Sequence, residues 1–450
     1  MTTTIPPAAV IVGLGRTGLS CARHLHALGW KLAVTDTRGK PPELERLRGL
    51  FPDIPVSLGR LDTQLLDAAD CVVASPGVSL AEPFFVEARA RGLEIVGDIE
   101  LFARSVDSPV VGITGTNGKS TVTTLIGRMA ERAGVKVRVG GNLGEPALDL
   151  LAAARAEALP TQLYVLELSS FQLETTTSLD LKAATVLNVS PDHLDRYPSV
   201  EAYAQTKARI FTHCNTAVIN LDDPLVVVMP LPGQRTLSFS LSATIGADYA
   251  VCNRDGDWWL SRRDELLLRV SAMKIKGLHN AANALAALAL GEALGLPLQP
   301  MLLELASFTG LPHRSQWVAD VQGVTYINDS KGTNVGATLA AVGGMQGPLV
   351  MIAGGDGKNQ DFAPLADAFR GKVRHAVLIG RDAAAVARAL EGVCTFEFCR
   401  SLEEAVGAAA RAARQGDTVL LSPACASLDM FRDYTHRGAV FAQAVKELAA

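Results

Sequence analysis

Residues 110–121 read VVGITGTNGKST, and this stretch decides the fold class of the chain. An apolar strand enters a glycine loop, and a Lys-Ser-Thr sequence beginning at Lys119 then opens a helix. In loops of this order, backbone N–H groups cradle phosphates, the lysine neutralises their oxygens and a hydroxyl holds Mg²⁺. The leading glycine is Gly112 and position 113 is Ile113, so the spacing is one residue longer than in GxxxxGK. We therefore predict a phosphate-binding loop of a lengthened P-loop type.

The same order of strand, glycine turn and helix recurs on both sides of this loop. The alternation predicts an α/β fold with mainly parallel sheets. We expect three domains: a Rossmann-like N-terminal domain (1–105), a central P-loop ATPase-type domain (106–309) and a Rossmann-like C-terminal domain (310–450). Within the central domain, residues 237–270 are irregular in pattern and predict a small antiparallel insert.

Composition agrees with this organisation and excludes several classes of protein. At roughly 150 residues per domain, 450 residues predict about three domains. A hydrophobic share of 48% and a charged share of 20% exclude disordered, collagen-like and disulfide-scaffold proteins. With 42 Lys+Arg against 46 Asp+Glu, no basic excess predicts binding to nucleic acid or a membrane surface. The 7 cysteines lack metal-site spacing, and we find neither a signal peptide nor an apolar span, so we expect a cytoplasmic protein.

The first glycine turn, residues 13–18, reads GLGRTG and follows a strand. Together with Asp36 at the end of the next strand, it matches the dinucleotide fingerprint. The residues alone leave an NAD site and a simple strand-to-helix turn equally open. Arg38 lies just beyond Asp36 and suits an anionic ligand better than plain NAD.

Polar residues at later strand ends and in helices are candidates for chemistry or for ordinary structure. Glu167 ends an apolar strand and is either an active-site group or a strand-edge carboxylate in water. His193 follows another strand end and is either a ligand or a structural histidine. Lys207 has the pattern of a solvated helix lysine. Asn280 predicts an N-cap for the Ala/Leu-rich helix in which Asn283 also lies.

Three strand ends in the last segment carry clusters of polar and small residues. They are NDSKGTN (328–334), GGDGK (354–358) and SPACAS (422–427). Because the carboxyl ends of parallel strands meet at one edge of a sheet, we predict a ligand-facing rim there. Cys425 lacks an evident histidine partner and is interpreted as a small buried residue.

In combination, these motifs resemble the Mur ligases, which are ATP-dependent amide-forming enzymes of peptidoglycan synthesis. GITGTNGKST, the strand-end Glu167, SPDHLD, TKARIF, GLHNAANALAA, LPHRSQ, NDSKGTN and GGDGKNQDF occur in the family's order, and the resemblance covers essentially all 450 residues. The segments GLGRTGLS, DTR, ASPGV, GGNLGEPAL and SPACASLDMFRDYTHRG are similar to the family member that adds D-glutamate.

The resemblance implies three sets of binding residues. The positions that match the family's ATP site are Gly115, Thr116, Asn117, Gly118, Lys119, Ser120, Thr121, Asn283, Arg314, Asp329 and Lys331. The positions that match its UDP-sugar site are Gly15, Arg16, Thr17, Asp36, Thr37, Arg38, Ser75, Asn142 and His193. The positions that match its D-glutamate site are Thr333, Lys358, Ser427, Leu428 and Tyr434.

The resemblance also implies catalytic and metal groups. The catalytic positions are Lys119, Glu167, His193 and Lys207. Two Mg²⁺ ions are expected, held by Ser120, Glu167, His193 and Lys207 as a carbamate. A carbamate supplies anionic oxygens to Mg²⁺, whereas an ammonium group is repelled by it. Two positions depart from the family pattern, because Arg16 replaces an apolar residue and Tyr434 replaces a phenylalanine.

The implied activity is ATP-dependent ligation of D-glutamate to UDP-N-acetylmuramoyl-L-alanine through an acyl phosphate, and the expected species is a monomer. Three alternatives remain open at this point. One is another Mur-type or folylpolyglutamate-type amide ligase. The second, from a different class, is an NAD-dependent oxidoreductase that uses residues 13–36. The third is a P-loop binding protein or switch without synthetic chemistry.

Overall fold

The structure is a computed structural model that describes residues 7–157, 159–193, 196–243, 246–345, 347–358 and 360–449. The chain forms two compact units. The first comprises Met1–Ala250 with Leu285–Met301, and the second comprises Val251–Ala284 with Leu302–Ala450. Leu194, Asp195 and Asn359, which belong to the motifs quoted above, lie outside the described residues. The division into three domains at residues 105 and 309 stays a prediction.

The first sheet of the first unit is parallel and has the strand order β3-β2-β1-β4-β5. Its strands are β1 (Ala8–Val12), β2 (Lys31–Asp36), β3 (Val56–Leu58), β4 (Cys71–Ala74) and β5 (Glu94–Val96). The helices that connect and follow them are α1 (Arg16–Ala27), α2 (Leu44–Leu50), α3 (Pro83–Ala90) and α4 (Asp98–Ala103). Because β1 is the middle strand, the first glycine turn emerges at the centre of the carboxyl edge of this sheet.

In the described part of the chain, the second sheet has nine strands, and the seven that begin in the first unit have the order β12-β11-β10-β9-β6-β8-β7; the last of these along the chain, β12, continues into the second unit after Ala250. These strands are β6 (Val110–Thr114), β7 (Val137–Gly141), β8 (Leu163–Glu167), β9 (Ala183–Val186), β10 (Thr216–Asn220), β11 (Arg235–Ser240) and β12 (Tyr249–Arg254). Its helices are α5 (Lys119–Arg132), α6 (Ala147–Arg155), α7 (Ser170–Leu173), α8 (Val200–Ala208) and α9 (Pro224–Val227). Two longer helices, α10 (Leu278–Leu294) and α11 (Leu298–Ser307), each cross a boundary between the units.

The predicted antiparallel insert at 237–270 is only partly correct. In the second unit, β13 (Asp257–Arg262) and β14 (Glu265–Arg269) do form an antiparallel hairpin. In contrast, β11 pairs in parallel with β10 and extends the second sheet. The segment between these two strands contains α9, which supplies the crossover that a parallel pair requires.

The third sheet lies in the second unit and has the order β15-β16-β20-β17-β18-β19. Its strands are β15 (Gln316–Val321), β16 (Val324–Asn328), β17 (Leu349–Gly354), β18 (Val373–Ile379), β19 (Thr395–Phe398) and β20 (Thr418–Leu421). Its helices are α12 (Val335–Gly344), α13 (Pro364–Phe369), α14 (Ala383–Leu390), α15 (Leu402–Ala412) and α16 (Tyr434–Ala449). Only β15 runs antiparallel to its neighbour among the described pairs of this sheet. The predicted α/β class with parallel-rich sheets is confirmed.

The two sheets of the first unit share one hydrophobic core. Buried side chains of α1, α4, α6 and β8 belong to the same apolar cluster. Within it, the rings of Phe102 and Tyr164 meet edge to face with their centroids 5.3 Å apart. Burial of this apolar surface stabilises the packing of the two sheets and of the helices α1, α4 and α6 that belong to the shared cluster. Among the described helices, none combines the length and the apolar character needed to cross a bilayer.

Candidate active site

The Lys119 loop, residues 115–119, connects β6 to α5. Gly118 is the N-cap of α5 and has a φ of +83°, a left-handed conformation that glycine adopts without strain. The Nζ of Lys119 donates to the carbonyl oxygens of Gly115 and Thr116, at 2.9 Å each. The loop therefore places a lysine at a helix N-terminus, where partial positive charge attracts phosphate.

Asn188, which follows β9, fixes the shape of this loop. Its backbone oxygen accepts from the Thr116 N–H at 2.9 Å, and its Oδ1 accepts from the Asn117 N–H at 2.8 Å. Its Nδ2 in turn donates to the Asn117 carbonyl oxygen at 3.2 Å. The parallel pairing of β6 with β9 brings Asn188 to the loop.

Glu167 is the last residue of β8, which lies between β6 and β7 in the sheet. Its side chain is 3% exposed, so the alternative of a carboxylate in water is wrong. Its Oε1 accepts a hydrogen bond from Asn142 Nδ2 at 2.7 Å. Its Oε2 is buried without a hydrogen-bond partner among the described residues. A buried carboxylate oxygen left this way is unfavourable, and a bound cation would compensate it.

The predicted metal donors are an unusual set. In the described ranges, no three His, Cys, Asp or Glu side chains are grouped to hold a metal. Besides Glu167 and His193, the predicted set uses the hydroxyl of Ser120, which is buried in the first turn of α5, and a modified Lys207. Oxygen donors of this kind suit Mg²⁺, which keeps several waters and takes few protein ligands. The unpartnered Oε2 of Glu167 therefore fits a cation at this position.

Lys207 is buried, and its interpretation as a solvated helix lysine is wrong. Its side chain is 1% exposed. Its Nζ donates to the Gly115 carbonyl oxygen at 3.0 Å and lies 4.4 Å from the centroid of the Tyr203 ring. Burial, together with the charge of Lys119, lowers its pKa to about 7. The unprotonated amine, which is the form that reacts with CO₂, is therefore easier to reach near neutral pH than in an ordinary lysine.

His193 lies in a turn with an unusual backbone conformation. Its φ is +53°, in the left-handed region that non-glycine residues rarely adopt. Its side chain is 43% exposed, and its ring meets those of Phe171 and Tyr203, with centroids 4.8 Å and 6.1 Å away. Tyr203 thus contacts both His193 and Lys207, so one aromatic ring brings two predicted catalytic residues to the same place.

A cavity of about 540 Å³, here called the glycine-turn cavity, opens beside the first glycine turn. A volume of this size suits a small-molecule ligand. Eight of the nine predicted UDP-sugar positions line it, all except His193. The lining residues from that set are Gly15, Arg16, Thr17, Asp36, Thr37, Arg38, Ser75 and Asn142. Arg16 is exposed and also lines a second cavity of about 720 Å³ along α1 and α6.

Asp36 holds the turn together. Its Oδ2 accepts from the Leu14 N–H at 2.7 Å and from Arg38 Nη2 at 2.6 Å, and its Oδ1 accepts from Arg38 Nε at 2.9 Å. Burial raises the pKa of Asp36, but these hydrogen bonds outweigh burial and hold the pKa below its usual value. The carboxylate is thus already engaged, which removes the main support for an NAD ribose at this residue.

Gln172 is a residue of the glycine-turn cavity that the sequence interpretation missed. It lies in α7, is 4% exposed and donates to Asp98 Oδ2 at 2.9 Å. The signal was available, because SSFQLE (169–174) begins two residues after Glu167, the last residue of the strand. A short capped helix after an active-site strand end is a natural place for a second cavity residue.

In the second unit, Asp329 follows β16 and is buried. Its Oδ1 accepts from the Ser315 N–H at 3.0 Å, and its Oδ2 accepts from Ser422 Oγ at 2.8 Å. Burial raises its pKa to about 6. Ser422 follows β20, the neighbour of β16, so adjacent carboxyl strand ends meet here as the predicted rim requires. Arg314 is half-buried in the preceding loop.

The prediction that Asn280 caps the long helix is wrong. The helix α10 begins two residues earlier, at Leu278, so Asn280 lies within its first turn. Its Nδ2 donates to the Lys276 carbonyl oxygen at 2.8 Å, and its Oδ1 accepts from Asn283 Nδ2 at 3.2 Å. Asn280 thus orients Asn283, which is 8% exposed and is one of the predicted ATP-site positions.

Four of the predicted D-glutamate positions lie in loops that follow strands β16, β17 and β20 of the third sheet, and Tyr434 begins α16. Lys331 Nζ is 4.1 Å from the centroid of the Tyr434 ring, at the start of α16. Ser427 is buried, whereas Leu428 is 66% exposed. Two further positions are Thr333, which is half-buried, and Lys358, which is exposed and has a φ of +50°. Cys425 is fully buried, as predicted.

The fold and these contacts define a class of protein: a multi-sheet α/β enzyme with a P-loop-type lysine and a buried strand-end carboxylate. Three family descriptions match the chain. Residues 7–97 match the Mur ligase MurD-like N-terminal domain, residues 113–291 the Mur ligase middle domain, and residues 313–425 the Mur ligase glutamate ligase domain. The chain belongs to the Mur ligase family.

Curated relatives support the same assignment over nearly the full length. A UDP-N-acetylmuramoylalanine–D-glutamate ligase of Nitrosococcus oceani is 51% identical over 446 residues, which cover 99% of this chain and 97% of that protein. The ligase of the same name from Pseudomonas aeruginosa is 50% identical over 444 residues, covering 98% of each. Membership of this family removes the oxidoreductase alternative.

Solved structures of more distant Mur ligases share the fold. MurF ligase from Thermotoga maritima, in complex with ADP, has a TM-score of 0.60 and 17% identity, covering 98% of this chain and 96% of that one. UDP-N-acetylmuramate–alanine ligase MurC from Thermotoga maritima has a TM-score of 0.58 and 18% identity, covering 98% and 99%.

Proposed function

We propose that this chain joins D-glutamate to UDP-N-acetylmuramoyl-L-alanine, with conversion of ATP to ADP and phosphate. The observation that carries the proposal is the hydrogen bond between Asn142 and Glu167 at 2.7 Å. Asn142 lines the glycine-turn cavity, and Glu167 adjoins the strand that leads into the Lys119 loop. This contact supports a sugar nucleotide in the cavity whose carboxylate end approaches ATP at the loop.

In the first half of the proposed reaction, the L-alanyl carboxylate attacks the γ-phosphate of ATP, which gives an acyl phosphate and releases ADP as the leaving group. Lys119 holds the phosphate oxygens, and the N-terminus of α5 adds its partial positive charge. The main contribution of these groups is positioning and charge stabilisation, since phosphoryl transfer needs little covalent help from a protein. To do so, Lys119 exchanges its contacts with the loop carbonyls for contacts with phosphate.

Ser120, Glu167, His193 and carbamylated Lys207 are the residues that would hold Mg²⁺. When bound, Mg²⁺ neutralises charge on the phosphoryl oxygens. Carbamylation of Lys207 is supported by its burial and by the hydrogen bonds of its Nζ, which go to the Gly115 carbonyl oxygen and the Thr114 hydroxyl. The conversion replaces a buried cation beside Lys119 with an anion, and so removes a like-charge repulsion.

In the second half, the unprotonated amine of D-glutamate attacks the acyl phosphate, and phosphate leaves through a tetrahedral intermediate. Thr333, Lys358, Ser427, Leu428 and Tyr434 are the proposed D-glutamate residues. A lysine such as Lys358 pairs well with the side-chain carboxylate of the amino acid. The Lys331 contact with the Tyr434 ring is compatible with a phenylalanine or a tyrosine at position 434, because it uses the ring face.

The test is phosphate release from ATP in the presence of UDP-N-acetylmuramoyl-L-alanine, with D-glutamate compared against L-glutamate. We expect release with D-glutamate and at least about a hundredfold less with L-glutamate, because a site built for one enantiomer leaves polar groups unpaired with the other. Release that depends on another amino acid would point to a different Mur-type ligase. Measurement of the molecular mass of the active enzyme in solution tests the further expectation that it is a monomer.

A further inference from the structure

Arg196 is a mostly buried arginine that none of the predicted roles uses, although it contacts three separate segments of the first unit. Its side chain is 13% exposed. Its Nη1 donates to the Pro76 carbonyl oxygen at 3.0 Å, and its Nη2 and Nε donate to Glu174 at 2.5 Å and 3.3 Å. A guanidinium group that forms directional bonds with a carbonyl and with both oxygens of one carboxylate is held in a defined orientation.

The Pro76 end of this network belongs to the glycine-turn cavity. Pro76 lines the cavity and follows Ser75, whose Oγ donates to the Gly13 carbonyl oxygen at 2.9 Å. The loop after β4 is thus attached to the first glycine turn on one side and to Arg196 on the other. A shift of the Pro76 carbonyl would move a wall of the cavity.

The other end of the network holds the His193 turn. The backbone N–H groups of Arg196 and Tyr197 both donate to the His193 carbonyl oxygen, at 2.9 Å and 3.0 Å. The guanidinium carbon of Arg196 lies 4.2 Å from the centroid of the Phe171 ring, which itself meets the His193 ring. Because His193 has a left-handed backbone, contacts of this kind are needed to keep it in place.

Glu174 is the anionic centre that ties the two ends together. It accepts from Arg196 and also from the Tyr197 hydroxyl at 2.6 Å, and its side chain is 16% exposed. Burial and the neighbouring Glu174 raise the pKa of Tyr197, so its hydroxyl remains a donor at all physiological pH values. Loss of Arg196 would leave this partly buried carboxylate with the tyrosine as its main partner, which is unfavourable.

We propose that Arg196 is a positioning residue that fixes the distance between the Pro76 wall of the glycine-turn cavity and the His193 turn. It touches no reacting atom in this role. It keeps the bound sugar nucleotide and His193 at a fixed distance from each other. The L-alanyl carboxylate is thereby positioned for attack on the γ-phosphate of ATP. The naming of these substrates rests on the proposed function, whereas the contacts themselves do not.

The test compares Arg196→Met with the matched control Arg209→Met. Arg209 donates to the carbonyl oxygens of Leu173 and Thr176, at 2.8 Å and 2.9 Å, and so supports the same α7 segment. Neither of these bonds involves Pro76 or the His193 turn. For Arg196→Met we expect KM for the sugar nucleotide to rise about tenfold and kcat to fall about tenfold, with KM for D-glutamate within about twofold of wild type. For Arg209→Met we expect a lowered melting temperature with unchanged KM values.

Two further variants keep the proposal falsifiable if Arg196→Met folds poorly. Arg196→Lys retains the positive charge but loses the planar guanidinium group with its several N–H donors. We therefore expect its KM for the sugar nucleotide to stay at least about threefold above that of wild type. Glu174→Gln retains the shape of the acceptor, and we expect the same kinetic pattern at smaller amplitude. Full recovery in Arg196→Lys, or equal rises in KM for all three substrates, would overturn the positioning role.

Titration with UDP alone separates this inference from the proposed function. Wild-type protein that binds UDP but turns over no D-glutamate would contradict the proposed function. In the same titration, we expect Arg196→Met to bind UDP at least about threefold more weakly than Arg209→Met. Equal UDP affinity in these two variants would contradict the role of Arg196 in shaping the cavity.

Discussion

The first glycine turn and the Lys119 loop have the same local architecture, but the charged side chains around them differ in burial and pairing. Each follows an interior strand of a mainly parallel sheet and opens a helix. At the first turn, the nearby acid Asp36 is engaged by Arg38 and a backbone N–H, beside a cavity of about 540 Å³. At the Lys119 loop, Glu167 and Lys207 are almost completely buried, and Glu167 keeps one oxygen without a partner in the described chain.

The difference shows that a glycine turn provides a place for an anion, while the surrounding side chains decide whether chemistry follows. At the first turn, the Asp36 carboxylate is paired with Arg38, so we expect this acid to shape the turn rather than to take part in chemistry. At the Lys119 loop, charges are buried and incompletely compensated, which is typical of sites that act on charged substrates. Substitutions at the Lys119 loop should therefore affect turnover, and those at the first turn should affect binding or stability.

The largest effect is expected from Lys119→Ala. Removal of the ammonium group leaves phosphate charge without its main protein partner, so we expect phosphate release to fall at least about a thousandfold. UDP affinity of the variant, measured by calorimetry, serves as the control and should stay within about twofold of wild type. Near-normal phosphate release would contradict the assignment of the Lys119 loop to ATP.

A smaller but distinctive effect is expected from Lys207→Ala. Loss of the proposed carbamate should lower kcat about a hundredfold, because its oxygens would be missing from the site. Short carboxylic acids such as acetate or formate can enter the space left by the side chain and should restore part of the activity. If these acids give no recovery at any concentration, carbamylation of Lys207 loses its support, while the ligase function does not.

At the first glycine turn, Asp36→Asn should change binding more than turnover. The amide cannot pair with Arg38 as a carboxylate does, and the turn loses its charged acceptor. We expect KM for the sugar nucleotide to rise about tenfold and kcat to change less than about threefold. A kcat loss as large as that of Lys119→Ala would remove the distinction between the two regions.

The smallest effect is expected from Asp98→Asn, measured as stability against pH. Burial raises the pKa of Asp98 to about 6 from its ordinary value of 3.8. The folded state therefore keeps this proton longer than the unfolded state does, and the associated stability is lost as pH rises from 3.8 through 6. Between pH 5 and pH 7.5, we expect the variant to gain about 1 kcal/mol in free energy of unfolding relative to wild type.

Denaturant unfolding of the two proteins at both pH values measures this difference. Activity should be retained, because the amide introduced at position 98 keeps a carbonyl oxygen that can still accept from Gln172. A constant difference between the variant and wild type at the two pH values would show that the Asp98 carboxyl does not titrate in this range.

The strands and helices that carry both regions were predictable, because apolar runs alternate with helical segments along the chain. Glu167 could be placed at a strand end, but its burial depends on β7 and β6 flanking β8. Lys207 was misjudged because the helix VEAYAQTKA is polar around it. Its burial comes from Tyr203 and from the Gly115 carbonyl, 92 residues away in sequence. The role assigned to Lys207 came from family resemblance alone.

The sequence by itself determined the α/β class, the Lys119 loop and the first glycine turn, because strand alternation and glycine spacing are local properties of the chain. The tertiary structure alone decided which charges are paired, which are buried and which residues share a cavity. Asp36 with Arg38, Asn142 with Glu167, and Arg196 with Pro76 and Glu174 illustrate this. The physical reason is that pairing and desolvation depend on distances between groups, and most of these distances are set by how sheets and helices pack.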